Sequence, residues 1–159
     1  MKRLFVVLCA ALLVAGCATA PVAEGPGSLA RFHLESAEAT GIRVTLPRSG
    51  SSIVVAEKPV LTEYDIVGID IAQVAMGKCL LFRLTPAAAR DLRKMTQANP
   101  GQRLVLRVDE HACGARRIDE TIDDGRLFIF VERPDEELPA LQRALEKTAR
   151  QMHGVQARL

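Results

Sequence analysis

The chain has 159 residues, 48% of them hydrophobic and only 4% aromatic, with 21 basic and 19 acidic side chains and a formal net charge of +2. Both excess positive charges sit in the first three residues, and setting Lys2 and Arg3 aside leaves 19 of each sign. A neutral, mixed-charge chain offers no electrostatic footprint for nucleic acid or for an anionic membrane surface, which excludes both as partners of the body of the protein.

The chain opens MKRLFVVLCAALLVAGC, where Lys2 and Arg3 precede an apolar run from Leu4 to Ala15 and then small residues. That is the layout of an export signal. A run of about twelve apolar residues falls short of the roughly twenty that a permanent bilayer span needs, so the segment is expected to be removed. Val14-Ala15-Gly16-Cys17 resembles the lipobox of bacterial lipoproteins. The resemblance implies a lipoprotein signal peptide over 1–16 and a Cys17 that leads the mature chain and carries acyl groups such as palmitate. In that family an aspartate after the cysteine is associated with inner-membrane retention. Ala18 stands there instead, which implies the outer membrane, facing the periplasm. The lipid on Cys17 is then the membrane contact: two or three acyl chains, at about 0.8 kcal/mol per buried methylene, hold a protein where one chain binds only marginally.

Residues 17–28, with Pro21, Gly25, Pro26 and Gly27, read as a lipidated flexible tether. The remaining 29–159 have the size of one domain able to bury a core. Strand-like runs come first, at Phe32 to Ala37, Ile42 to Leu46 and Ser52 to Ala56, separated by Thr40-Gly41 and Pro47-Arg48-Ser49-Gly50. They predict a meander. Ile66 to Ala75 and Cys79 to Thr85 then flank Met76-Gly77-Lys78, which predicts a hairpin. Thr85-Pro86 supplies an N-cap and a first-turn proline for a helix whose stripe is Ala88, Leu92 and Met95, with Arg90, Asp91, Arg93 and Lys94 as its solvated side. Asn99-Pro100-Gly101 stops it. A strand over 102–109 follows, and Asp124-Gly125 between 116–123 and 126–132 predicts a second hairpin. A last helix from Asp135 to His153 carries Leu138, Leu141, Leu145, Ala149 and Met152 at helical spacing and ends at Gly154. Several antiparallel strands and two amphipathic helices in one domain define an α+β fold, with the helices packed on the sheet.

Candidate chemistry is sparse. Cys79 and Cys113 are the two cysteines left after Cys9 and Cys17, and in an oxidising periplasm an isolated pair reads first as a disulfide. Closing that loop of 33 intervening residues would contribute about 3 to 4 kcal/mol. His111-x-Cys113 is too little for a zinc site, which wants four ligands, and Asp119, Glu120, Asp123 and Asp124 lack the spacing of a calcium loop and suit turns instead. A Ser-His-Asp set would have to combine Ser49, Ser51 or Ser52 with His33, His111 or His153, yet no nucleophile-elbow spacing is present. No cofactor motif occurs. In Glu57 to Ile66, EKPVLTEYDI, Glu63 and Asp65 are candidate paired carboxylates, but Thr62-x-x-Asp65 reads better as a local cap, with Pro59 restraining the approach and Val60, Leu61 and Ile66 facing the core.

The same decapeptide carries a resemblance. Val54-Val55, Pro59-Val60-Leu61-Thr62 with Asp65-Ile66, Leu84-Thr85 with Ala88, Met95-Thr96 with Asn99 and Gly101, Leu104 to Asp109, and Ile122 with Gly125 resemble the head subdomain of the first periplasmic domain of SecD, a subunit of the SecDF protein-export complex. About half the chain takes part. The resemblance implies an α+β head that contacts exported, unfolded polypeptide or an envelope partner without catalysis. SecD owes its proton-coupled work to membrane-spanning segments that this sequence does not display after the signal, so a binding module is what carries over. A purely structural subunit of an envelope complex, a small-molecule-binding domain and a hydrolase are the competing readings.

Overall fold

The computed structural model describes residues 27–36, 38 and 40–156. The signal, Cys17 and most of the tether lie outside the described residues. The elements in chain order are β1 (Ala30–Leu34), β2 (Ile42–Thr45), β3 (Ser52–Val55), a 3-10 turn at Glu63–Asp65, β4 (Ile66–Val74), β5 (Gly77–Leu84), α1 (Pro86–Ala98), β6 (Arg103–Val108), β7 (His111–Arg117), β8 (Arg126–Ile129), a 3-10 turn at Asp135–Glu137 and α2 (Leu138–Gln156). All strand pairs are antiparallel and form three sheets, β1-β6-β7, β2-β3 and β4-β5-β8. With the two helices, this is the α+β class.

β6 lies at the centre because it is apolar on both faces. Leu104 and Leu106, fully buried, enter the main core with Phe32, Phe82, Leu127 and the helix residues Leu92, Leu141 and Leu145, while Val105 faces the other way into Val44, Ile53 and Val55. Alternation on one strand thus builds two cores, and the β2-β3 hairpin closes the second. Phe32 and Phe82 meet edge to face at 5.0 Å and 89°, joining the two three-stranded sheets. Burying either ring contributes about 1.5 to 3 kcal/mol from apolar area alone.

The caps of α1 and the first hairpin form as the sequence predicts. Thr85 Oγ1 accepts the Ala88 N–H at 3.2 Å with Pro86 at the first helical position. Asn99 at the other end donates to the Met95 carbonyl at 2.8 Å. Four expectations change. β1 does not form a meander with β2: it pairs with β6 from Ala30↔Val108 to Leu34↔Leu104, and its end meets the end of β3 through the Glu35↔Val55 bridge, with the Ser36 N–H on the Val54 carbonyl at 2.8 Å and the Ala56 N–H on the Leu34 carbonyl at 2.9 Å. The predicted hairpin around Asp124-Gly125 is absent. β7 is taken by β6 through a turn at Asp109 and Glu110, both at positive φ (48° and 71°), and β8 pairs with β5 instead. Val60 is exposed, whereas Leu61 and Ile66 are buried. Gly154 does not end α2, which runs to Gln156.

Cys79 and Cys113 are not bridged. Both are free and buried, Cys79 in β5 of one sheet and Cys113 in β7 of another. Cys79 Sγ points toward the Ala72 carbonyl across the β4-β5 ladder, and Cys113 belongs to the main core. Residues 111–117, which the sequence does not mark as a strand, form one on β6, and this places Cys113 in a different sheet from Cys79.

Candidate interaction surface

The stretch Glu57 to Ile66 crosses from the small hairpin to β4 and is pinned at both ends. Phe32 gives its N–H to the Leu61 carbonyl at 2.8 Å and its carbonyl to the Val60 N–H at 2.7 Å. The Asp65 carboxylate accepts from the Thr62 N–H at 2.8 Å and the Thr62 hydroxyl at 3.1 Å, and the Asp65 N–H reaches the Thr62 carbonyl at 3.0 Å. The local cap is present, with Asp65 as its hub. Glu63 is buried beside Arg31 at 3.4 Å. The two carboxylates therefore face different partners and do not form an acid–base pair. Against α1 the same stretch leaves a groove of about 420 Å³ lined by Lys58, Pro59, Val60, Leu61, Asp91, Leu92 and Met95.

A smaller polar cleft of about 190 Å³ lies between Arg116, Arg126 and Phe128 and the loop Glu120 to Asp124. The loop's acidic residues serve turns and pairs there: Asp124 accepts the Arg126 N–H at 2.9 Å, and Glu120 lies 3.9 Å from Arg116. Among the described residues no three His, Cys, Asp or Glu side chains form a group able to hold a metal ion.

Each histidine is bonded to a main-chain carbonyl: His33 to Ala56 at 2.9 Å, His111 to Asp109 at 2.8 Å and His153 to Ile66 at 2.7 Å. Ser49 and Ser51 bond to each other, at 3.3 Å, and Ser52 accepts from Arg43. The serines and histidines are thus not brought together. Burial lowers the His33 pKa, opposed by the Ala56 bond and reinforced by nearby Arg107. Burial likewise raises both thiols, Cys113 to about 12. A thiol so held is not a nucleophile near neutrality. Glu35 is held below the ordinary carboxylate range by hydrogen bonds from Arg103, whose Nε lies 2.9 Å away.

Among the described residues the exposed large apolar side chains are Val60, Tyr64, Val67, Ile71 and Met76, four of them from the 3-10 turn to the tip of the β4-β5 hairpin. β4 is an edge strand. Its first half is guarded by α2: Gln142 Nε2 donates to the Ile69 carbonyl at 2.7 Å and the His153 ring donates through Nε2 to the Ile66 carbonyl. A register shift between Ile66 and Gly68 adds a bulge at Val67. The sequence reading missed this edge. The signal for it is the position of Gln142 and His153 on a helix otherwise read for its apolar stripe.

No family model matches the sequence, and no curated protein matches it. The fold has known counterparts. The structure of SecDF described as a membrane component that enhances protein export superimposes with a TM-score of 0.59 at 20% identity, over 77% of this chain and 63% of that one. SecDF in its super-membrane-facing form gives 0.59 at 20% identity over 75% of this chain and 18% of that one. SecDF from Thermus thermophilus, described as a translocon-associated membrane protein, gives 0.52 at 19% identity over 77% and 20%. The chain therefore spans less than two thirds of the first and about a fifth of the other two. The domain is SecD-like in fold, as the resemblance implied. Among the described residues no helix is long and apolar enough to cross a membrane.

Proposed function

We propose that this chain is a lipoprotein held at the outer membrane by acyl groups on Cys17, whose domain over 29–159 faces the periplasm and binds polypeptide or an envelope partner without catalysing a reaction. The observation that supports it most is the SecD-like fold, shared with components of a protein-export machine. The dispersal of the serines, histidines and carboxylates onto separate partners supports a binding role over a hydrolytic one. Two measurements test the reading. Radiolabelled palmitate should enter the native chain and not Cys17→Ser, which would also leave the membrane fraction. The purified chain should retain a reduced, carboxymethylated protein, a permanently unfolded probe, and not its folded parent. Equal retention of both, or of neither, would refute polypeptide binding.

A further inference from the structure

We propose that the outer half of the β4 edge, Ile71–Gln73, is where an extended polypeptide docks, adding to the β4-β5-β8 sheet as a fourth strand. This rests on the polypeptide-binding reading and names its surface. Register places Ile69 opposite Phe82, Ile71 opposite Leu80 and Gln73 opposite Lys78, without a break. The Ile69 carbonyl turns away from β5, since it is held by Gln142 of α2. In an antiparallel ladder residues two apart share that direction, so the N–H and C=O groups of Ile71 and Gln73 also face outward. Among the described residues nothing pairs with them, and β4 is terminal in its sheet.

Edges exposed to solvent are ordinarily blunted by charge, proline, bulges or a covering helix. Here the bulge at Val67 and the α2 side chains Gln142 and His153 protect Ile66 to Ile69, and protection stops there. Ile71-Ala72-Gln73-Val74 contains no charge and no proline. Ile71 is 37% exposed and Met76, at the hairpin tip, is 81% exposed, so apolar surface flanks the open backbone. Outward groups on two residues offer at most four hydrogen bonds over roughly 7 Å of strand, at about 3.3 Å per residue. That strip is far too small for a stable homodimer, which buries at least about 1,200 Å². It suits a weak hold on a passing chain, and because main-chain bonds carry the contact it does not depend on the chain's sequence.

The test uses the full chain and fluorescent reduced, carboxymethylated α-lactalbumin, read by anisotropy. Gln73→Pro removes one outward N–H, and proline is tolerated on an edge strand whose N–H faces solvent. Ile71→Lys charges the edge. Both should weaken binding by about tenfold or more, while Met95→Lys, in the groove against α1, should change it by less than about twofold. Gln142→Ala, which uncovers the Ile69 carbonyl, should bind at least as tightly as the native chain. Thermal unfolding checks the fold, and if Gln73→Pro fails to fold, Ile71→Lys decides. Native binding with unchanged edge variants, or loss in Met95→Lys alone, overturns the edge and leaves polypeptide binding standing. No binding by the native chain removes both. A native dimer that both edge variants convert to monomers would make the occupant a second copy and overturn the proposal.

Discussion

Thr96→Val is the substitution whose effect follows most directly from the structure. Thr96 is 2% exposed, near the end of α1, and its hydroxyl has partners on both sides. It donates to the Leu92 carbonyl at 2.9 Å or to Arg93 at 3.1 Å, and it accepts the Ile122 N–H at 3.0 Å in a buried contact. Valine keeps the shape and deletes the oxygen. The helix carbonyls retain their intrahelical bonds, but the Ile122 N–H is left buried without an acceptor, which costs about 1 to 3 kcal/mol. For a domain of this size each kcal/mol moves the midpoint by roughly 3 to 5 °C, so the midpoint of thermal unfolding followed by circular dichroism should fall by about 3 to 15 °C. Thr96→Ser keeps the oxygen and loses one buried methyl, about 1 kcal/mol. Thr148 is buried too, but among the described residues its hydroxyl finds only the Ala144 carbonyl, at 3.4 Å, so Thr148→Val should stay within about 0.5 kcal/mol. If Thr96→Val and Thr148→Val lose the same amount, or Thr96→Val loses nothing, the loop from Ile118 to Asp124 is not held as described.

Three further outcomes follow from groups held by burial or by local hydrogen bonds. Because burial depresses the His33 pKa below its unfolded value of about 6.5, the unfolded chain binds the proton first and stability falls as pH drops from near 6.5 through the lower folded value. The urea midpoint should therefore decline between pH 7.5 and pH 5, His33→Gln should flatten that decline, and an unchanged slope would contradict it. Denaturing alkylation without reductant, mapped by peptide mass, should label both Cys79 and Cys113, native alkylation at pH 8 should label neither, and a peptide mass two hydrogens short would reinstate the bridge. Asp65→Ala removes two bonds from Thr62 and should cost about 1 to 2 kcal/mol, more than Thr62→Ala at about 1 kcal/mol, with chemical denaturation ranking them.

What the sequence makes legible is local. Thr85-Pro86 and Asn99-Pro100-Gly101 bracket α1 within a residue, the β4-β5 hairpin announces itself by its glycine turn, and the α2 stripe reaches the core. What it hides is pairing over distance. In His111–Arg117 no apolar side chain can stand at Gly114, which lies against the backbone where a Cβ would run into the Phe130 carbonyl. Its turn uses Asp109 and Glu110 at positive φ, where glycine or asparagine is the usual mark. Asp109 is held there by accepting the Leu29 N–H at 2.8 Å, a contact 80 residues away that no local pattern can report. Asp124-Gly125 is a genuine positive-φ turn, yet it returns the chain to β5, because the Leu84 N–H takes the Gly125 carbonyl.

The residues that carry the SecD resemblance meet at these joints. The Thr85 N–H bonds the Asp65 carbonyl at 2.8 Å, Leu84 bonds Gly125 at 3.0 Å, Gly101 bonds Ile118 at 2.8 Å, and Ile122 bonds the Thr96 hydroxyl. Three segments, 62–66, 84–101 and 118–125, are locked to one another, and all of these bonds but the one to Ile118 join two motif positions. Their chemistry is used up inside the scaffold, which is why a resemblance strong enough to give the fold gives no contact surface. A sheet edge needs no particular side chain to present N–H and C=O groups, only a strand left without a neighbour. Such a site leaves no motif in the sequence, and it becomes visible only where the α2 side chains stop covering β4, between Ile69 and Ile71.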